Sequence, residues 1–414
     1  MPPPNQNTGG RPADLKTWNM PSNPDWQADS GGRHHIFLFD GTWNDETGVN
    51  PADFTWDATR LLWVSTTDPT KAYPPVTSNL VKTHLALGPD SASQLTHYFR
   101  GIGNDNENDF LNSAVEGAFA TMEPHIRNSA YCLFLQNYQQ GDQVSIFGFS
   151  RGAATARLFA RDLAANGFVD KVNIGSRYSR VSDTNGDLRL DVWDLNLRWS
   201  KTLVPGDEVP VAFLGVWDTV PTNIPSKAAD WKVPASVAHA VHCMSLDETR
   251  NLFVPTLFSY PKSRGADMKE VWFPGAHSDV GGGYYHDALS RVALDYMWKN
   301  WASAVAAQNL APVNWQADLA TQCVATDGLP WLRHQTTSGA TTLDGFSPRD
   351  ITPCTGDLPR VHPSVENFVQ HGGLQFCVEG EGFPPDCVIS SPIYQPAAYP
   401  GADKVELYDS TDWA

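Results

Sequence analysis

Ser150 stands inside Gly148-Phe149-Ser150-Arg151-Gly152, between an apolar run, Val144 to Phe149, and an Ala-rich run, Arg151 to Ala165. The β-branched and aromatic residues of the first run make a buried strand, and the second run suits a helix. A serine on a tight strand-to-helix turn is held in a strained conformation with its hydroxyl exposed, the arrangement of a nucleophile elbow. The two glycines, lacking Cβ atoms, let the helix start close behind the strand. The chemistry implied is nucleophilic attack by the hydroxyl. That hydroxyl is a poor nucleophile until an imidazole takes its proton, and the imidazole needs a carboxylate to fix its tautomer and stabilise its cation.

Candidates for both partners lie at the ends of other apolar runs. His35 to Phe39 stops at Asp40-Gly41-Thr42, Val209 to Trp217 stops at Asp218, and Val271-Trp272-Phe273 leads into His277 and the glycines 281 to 283. In an open parallel sheet, ligands bind beyond the carboxyl ends of the strands, so Asp40, Ser150, Asp218 and His277 are expected on one edge. Ser150, Asp218 and His277 also follow the chain order nucleophile, acid, histidine of α/β-hydrolases. Other histidines follow Asp218, but the Gly-rich loop after His277 allows its ring to reach Ser150. Asp279 is a rival acid; two residues from His277 on one loop, it is better placed to orient backbone. The backbone N–H groups of Gly41, Thr42 and Arg151 are candidates for an oxyanion hole, because such enzymes draw the second donor from another strand-to-helix loop. The other reading of Asp40 to Asp45 is a plain turn with Asp40 as a helix cap.

Strands alternating with helices must position these residues. Ala52 to Leu87 reads as largely helical, Thr96 to Gly103 as a second strand, Phe110 to Tyr138 as a long helix, Lys232 to Asn251 as a helix carrying His239 and His242, and Ala288 to Ala307 as a clear helix. No carboxylate-bearing zinc pattern accompanies His239 and His242, which favours packing over metal binding. The fold class expected is α/β, hydrolase-like: a mostly parallel sheet with helices on both faces. The expected organisation is a flexible arm over 1–32, a catalytic domain over 33–309 with a polar insertion at 173–207, and an irregular Pro-, Gly- and Trp-rich extension over 310–414 packed on the core.

Within the insertion, Asp183, Asn185, Asp187, Asp191 and Asp194 stand at positions 1, 3, 5, 9 and 12 of a twelve-residue stretch, the spacing of an EF-hand-like calcium loop. Arg189 is placed to offer its backbone carbonyl. Leu188 replaces the usual turn glycine and Asp194 the usual bidentate glutamate, and the competing reading is a solvated acidic turn. A calcium ion here would be structural, since the serine mechanism itself needs no cofactor.

The chain carries 29 basic and 46 acidic residues, a formal charge of −17, with no Lys/Arg cluster. This argues against nucleic acid as a partner, because affinity for phosphate backbones comes from clustered cations. No apolar run approaches the ~20 residues of a membrane-spanning helix, and Met1 to Gly32 lacks the pattern of a signal peptide. A soluble protein is expected, cytoplasmic or delivered by a route other than Sec export, with membrane contact confined to a surface. Cys132 and Cys243 sit in apolar surroundings, whereas Cys323, Cys354, Cys377 and Cys387 are available to pair in an oxidising compartment.

Taken together, Phe39 to Asn44, Tyr98 to Gly103, Gly141 to Arg157, Val216 to Val220, Leu246 to Arg250 and Trp272 to Tyr284 resemble, in order, the α/β-hydrolase catalytic domains of type VI secretion lipase effectors and related uncharacterised bacterial and fungal proteins. The resemblance implies a Ser-Asp-His hydrolase carried by Ser150, Asp218 and His277, with Gly41 and Thr42 near the oxyanion hole. It also implies phospholipase activity on bacterial membranes. It covers neither the calcium-like loop nor the last hundred or so residues. The function expected is a serine esterase or lipase acting through an acyl-enzyme, with a lipid substrate. The alternatives are an esterase acting on a soluble ester or polyester, and a calcium-dependent binding module on an inactive hydrolase scaffold.

Overall fold

The computed structural model describes residues 18–21, 32–42, 44, 54–57, 62–68, 70, 72–73, 76–101, 114–174, 178–182, 188–192, 195–196, 201–221, 231–260, 263, 267–335, 345–353, 356–379 and 387–407. Its centre is an eight-stranded sheet of β1 (His34–Phe39), β2 (Gln94–Phe99), β3 (Gln143–Phe149), β4 (Val211–Trp217), β5 (Val237–Ser245), β6 (Met268–Phe273), β7 (Arg360–Val361) and β8 (Glu406–Leu407). The strands lie in the order β2-β1-β3-β4-β5-β6-β7-β8, and every neighbouring pair is parallel. The order reverses at β1. A crevice therefore opens beyond the carboxyl ends of β1 and β3, where Asp40 and Ser150 stand.

Among the described residues, seven α-helices accompany the sheet: α1 (Asn79–Ala86), α2 (Ala114–Asn137), α3 (Ser150–Asn166), α4 (His277–Gly281), α5 (Ala288–Ala307), α6 (Ala317–Val324) and α7 (Pro363–His371). Successive side chains of a strand point to opposite faces, and here both faces are covered. Phe37 and Phe39 pack with Phe134 of α2 and Phe159 of α3, whereas Ile36, Leu38 and Trp217 pack with Leu80 of α1 and Met297 and Trp301 of α5. Trp272, Val361, Val365 and Val405 form a further cluster toward β7 and β8. At the amino ends of the strands, fully buried Asp142 ties β1 to β3. Its carboxylate accepts the N–H groups of Gly32, Arg33 and Gln139 at 2.9 Å each, and it pairs with the Arg33 guanidinium at 3.0 Å and His35 Nε2 at 2.9 Å.

Three expectations from the sequence are corrected. Residues 232–251 hold strand β5, not a helix; a strand buried on both faces shows no polar alternation, so its pattern does not separate it from a buried helix. His239 and His242 are thus three apart on a strand, on opposite faces, and do not form a pair. Among the described residues between 52 and 87, only those of α1 are helical. Phe54–Asp57, Leu62–Ser65 and Ala72–Tyr73 form an antiparallel sheet there, in keeping with their aromatic and β-branched residues.

The extension after 309 is not irregular: it holds α6, α7 and β7 and β8 of the central sheet, so the sheet does not close at 309. It also holds a small sheet of Leu332–His334, Gln375–Glu379 and Cys387–Ser390, in which Cys377 and Cys387 form a disulfide. Cys323 is free, and Cys354 lies outside the described residues. Of the expected arm, residues 18–21 and 32 are described, and Trp18–Pro21 pairs with Lys171–Ile174. The insertion contains paired strands, among them Tyr178–Ser182 with Leu188–Val192. Among the described residues no helix is long and apolar enough to cross a membrane.

Candidate active site

β3 ends at Phe149 and α3 begins at Ser150, whose φ of +58° lies in the left-handed region that a residue with a Cβ rarely adopts. The turn is tight because of its glycines. A Cβ on Gly148 would lie 2.5 Å from Ala153 Cα, and one on Gly152 would lie 2.2 Å from the Phe39 carbonyl oxygen and 2.3 Å from that of Asp40. No side chain fits at either position without moving backbone, so the sequence pattern follows from the close approach of α3 to β1 and to its own strand.

β4 delivers Asp218, the second strained residue of the site, with φ +42° and no solvent exposure. Its backbone N–H donates to Cys243 O at 2.8 Å, and two residues on the N–H of Val220 donates to Ser150 O at 3.2 Å, which stitches this loop to the elbow. β6 delivers His277, the first residue of α4. The His277 Nδ1 lies 2.6 Å from Asp218 Oδ2, and the ring stacks on Phe149 with centroids 4.7 Å apart and meets the edge of Phe253 at 5.0 Å. An ionised carboxylate only accepts, so Nδ1 carries the proton and Nε2 is left as the acceptor. The structure thus brings Asp218 to His277 and places both beside the elbow that carries Ser150.

Asp279 faces elsewhere. Its Oδ2 accepts the N–H groups of Ala276 at 2.8 Å and His334 at 3.0 Å, and its Oδ1 lies 2.5 Å from His334 Nδ1. It orders the backbone around α4, as its place on the loop suggested. His242 is a packing residue: its Nε2 accepts the Thr219 N–H at 3.0 Å, and burial lowers its pKa.

The loop after β1 is organised by Asp40, which accepts the hydroxyls of Ser78 at 2.7 Å and Tyr98 at 2.6 Å on Oδ2. Its Oδ1 accepts the Gly41 N–H at 2.7 Å, so that N–H, one of the expected oxyanion donors, is already engaged. Thr42 and Arg151 line one small pocket with Asp40 and Gly152 beside the elbow. Thr42 Oγ1 is buried there without a hydrogen-bond partner. Arg151 belongs to the first turn of α3, where backbone N–H groups and the helix dipole favour negative charge.

Two residues of the site have no role assigned by any sequence motif, although the first lies in the Leu246 to Arg250 block. Glu248, buried in the loop after β5, accepts the His277 N–H at 3.3 Å and pairs with Arg250 at 2.7 Å. Arg349, from residues 345–353, forks onto Asp218, with Nη1 2.6 Å from Oδ1 and Nη2 2.9 Å from Oδ2. Burial alone would raise the Asp218 pKa, but Arg349 and His277 outweigh it and hold the carboxyl well below the usual range. Burial pushes the His277 pKa down from its ordinary value, against the opposing pull of Asp218 and Glu248, which favours the neutral imidazole that can accept a proton.

Of the calcium-like loop, Asp183, Asn185, Asp187 and Asp194 lie outside the described residues. Arg189 and Asp191 stand on the strand Leu188–Val192, opposite Val181 and Ser179, so positions 6 to 10 of the stretch form one strand of an antiparallel pair where an EF-hand has loop. Among the described residues no three His, Cys, Asp or Glu side chains gather as a metal site.

Residues 33–300 match the family model of the type VI secretion phospholipase effector, Tle1-like, catalytic domain. The chain belongs to this family. Its Tle1-like domain contains Ser150, Asp218, His277 and Glu248, whereas Arg349 comes from beyond it. An uncharacterised Saccharomyces cerevisiae protein is 25% identical over 267 residues, which is 56% of this chain and 33% of that protein. Two solved structures are similar in part. One is an uncharacterised Pseudomonas aeruginosa protein, 18% identical, covering 71% of this chain and 50% of that one with a TM-score of 0.38. The other is a Tle1 effector bound to the VgrG spike of a type VI secretion system, 20% identical, covering 63% and 52% with a TM-score of 0.35. The chain thus spans half or less of the length of the first two of these relatives.

Proposed function

We propose that this protein is a serine hydrolase that cleaves carboxylic esters of lipids through an acyl-enzyme on Ser150. The observation that carries the reading is the elbow serine at φ +58° set beside a His277 whose Nδ1 is held by Asp218 at 2.6 Å. In this mechanism His277 Nε2 takes the Ser150 proton as Oγ attacks the ester carbonyl. The Arg151 N–H and the Thr42 loop stabilise the oxyanion, and the imidazolium returns the proton to the leaving alcohol. Water, deprotonated by the same imidazole, then releases the acid. A phospholipid as substrate follows from the family, whose description names phospholipase effectors.

A fluorophosphonate probe is expected to label the wild-type protein and not Ser150→Ala, since only an activated serine reacts. Absence of labelling would favour the binding-module reading. Hydrolysis of phospholipid vesicles is expected to exceed that of a monomeric short-chain nitrophenyl ester at equal ester concentration. Equal rates on both would point to a soluble-ester esterase.

Calcium binding by Asp183 to Asp194 is a separate proposal, supported by the spacing of its oxygen side chains. Acidic groups crowded into twelve residues repel one another, and a hard cation accepting about six to eight oxygens relieves that repulsion. Calcium at a hundredfold excess over its dissociation constant is expected to add about 3 kcal/mol to the folded state. Chelator should lower Tm in the wild type and leave it unchanged when Asp183 and Asp187 are replaced by alanine. A calorimetric blank at millimolar calcium would identify the stretch as an ordinary acidic turn.

A further inference from the structure

We propose that Arg349 is a positioning residue for the reaction proposed above: it fixes the carboxylate of Asp218 and, by balancing its charge, sets the acidic limit at which His277 can act as base. The inference rests on the serine-hydrolase reading and adds a control that lies outside the matched catalytic domain.

The geometry is that of a clamp. Besides its fork on Asp218, Arg349 donates from Nη1 to the Ser245 carbonyl at 2.7 Å and to Ser245 Oγ at 3.0 Å, and from Nη2 to the Phe253 carbonyl at 2.5 Å. Asp218 Oδ1 in turn accepts the Ser245 N–H at 3.1 Å. Two parallel N–H···O bonds fix the plane of a carboxylate in a way a single ammonium cannot. The clamp is itself anchored. Ser347 N–H donates to Thr249 O at 2.8 Å, Asn251 N–H donates to Gly345 O at 3.2 Å, and Ile351 packs with Trp272.

The two carboxylates hydrogen-bonded to His277 each carry an arginine. Asp218, at the end of β4, carries Arg349. Glu248, in the loop after β5, carries Arg250, whose guanidinium also lies over Phe253 at 3.6 Å. Asp279, on His277's own helix, is paired with His334. His242, the further histidine near Asp218, is buried, and its Nε2 is held by the Thr219 N–H. Two uncompensated carboxylates beside a buried imidazole would favour the imidazolium and remove the base as pH falls. With each carboxylate neutralised by its own arginine, burial dominates and the imidazole stays neutral to lower pH.

The test is the pH dependence of kcat/KM on a short nitrophenyl ester for the wild type, Arg349→Met and Arg349→Lys, with folding checked by far-UV circular dichroism. In the wild type the acid limb is expected below pH 6.5, a result that needs no variant to fold. In Arg349→Met the limb should move up by about one unit or more, because the Asp218 charge then acts on His277 unopposed. Arg349→Lys keeps the charge without the fork, so the limb should stay near the wild-type position while kcat falls. A folded Arg349→Met variant with an unmoved limb would overturn the proposal, as would a wild-type limb at or above 6.5. Failure of the underlying reading looks different: Ser150→Ala would then retain activity, whatever the limb does.

Discussion

Ser150→Ala and His277→Ala are each expected to lower kcat/KM by ~10⁴-fold or more while leaving the circular dichroism spectrum and denaturation midpoint near those of the wild type. Members of a triad act as a unit, so the double variant should be little worse than either single one. Asp218→Asn should cost somewhat less in rate. Unlike the other two it should also cost stability, because Arg349 would be left buried against an uncharged partner. The rival acid gives the control: Asp279→Asn should disturb the backbone around Ala276 and His334 more than the chemistry. If Asp218→Asn retained near-normal rates and Asp279→Asn lost them, the assignment of the acid would be wrong.

Asp142→Ala is expected to be the most damaging single change to the fold. Its carboxylate is wholly buried at the end of the sheet away from the site and serves three backbone N–H groups, the Arg33 guanidinium and His35. Removing one partner from a buried, hydrogen-bonded charge pair costs up to ~3–5 kcal/mol; here buried His35 loses its acceptor outright, whereas Arg33, a quarter exposed, regains part of its hydration. Urea denaturation should show a lower midpoint with an unchanged slope. The sign of the pH effect follows from the depressed carboxyl pKa, where His35 and the backbone donors outweigh the burial that alone would raise it. Its stabilisation is present above the unfolded value near 3.8 and is lost as pH falls below that. The wild type should therefore lose stability more steeply than Asp142→Ala below about pH 4. A midpoint in the variant equal to that of the wild type at pH 7 would refute this account.

Much of the site was legible because its residues are punctuated. Asp40, Ser150 and Asp218 each stand directly after a largely apolar run, and His277 follows the short run Val271-Trp272-Phe273 after Pro274-Gly275-Ala276; runs of that kind are strands buried on both faces. Strand-end placement, together with the position of Asp279 two residues from His277 on one loop, favoured Asp218 as the acid, and in the structure His277 Nδ1 lies 2.6 Å from Asp218 Oδ2. The same absence of alternation hid β5, where Ala and His residues among valines read as helix. The engaged Gly41 N–H was not legible either, because it depends on which way the Asp40 carboxylate turns. Arg349 is the clearest case: it lies in Phe346-Ser347-Pro348-Arg349-Asp350, with no periodicity or motif, and only tertiary packing brings it to Asp218. For Glu248 and Arg250, the block Leu246 to Arg250 marked the stretch without indicating what it does.

The ion pair between Asp218 and Arg349 spans 131 residues of sequence, and that separation is also an interval of time. Chains are made from the amino end at roughly 5–20 residues per second, so Asp218 is synthesised on the order of ten seconds before its arginine. During that interval Ser150 and Asp218 can already be on adjacent strands, but the carboxylate has no countercharge to accompany it into the interior. The serine is then expected to become reactive late in the birth of the polypeptide. Ribosome-arrested chains carrying residues 1–344 should react with a fluorophosphonate far more slowly than chains long enough to expose residue 353, and equal labelling of the two would show that the elbow matures without its distant clamp.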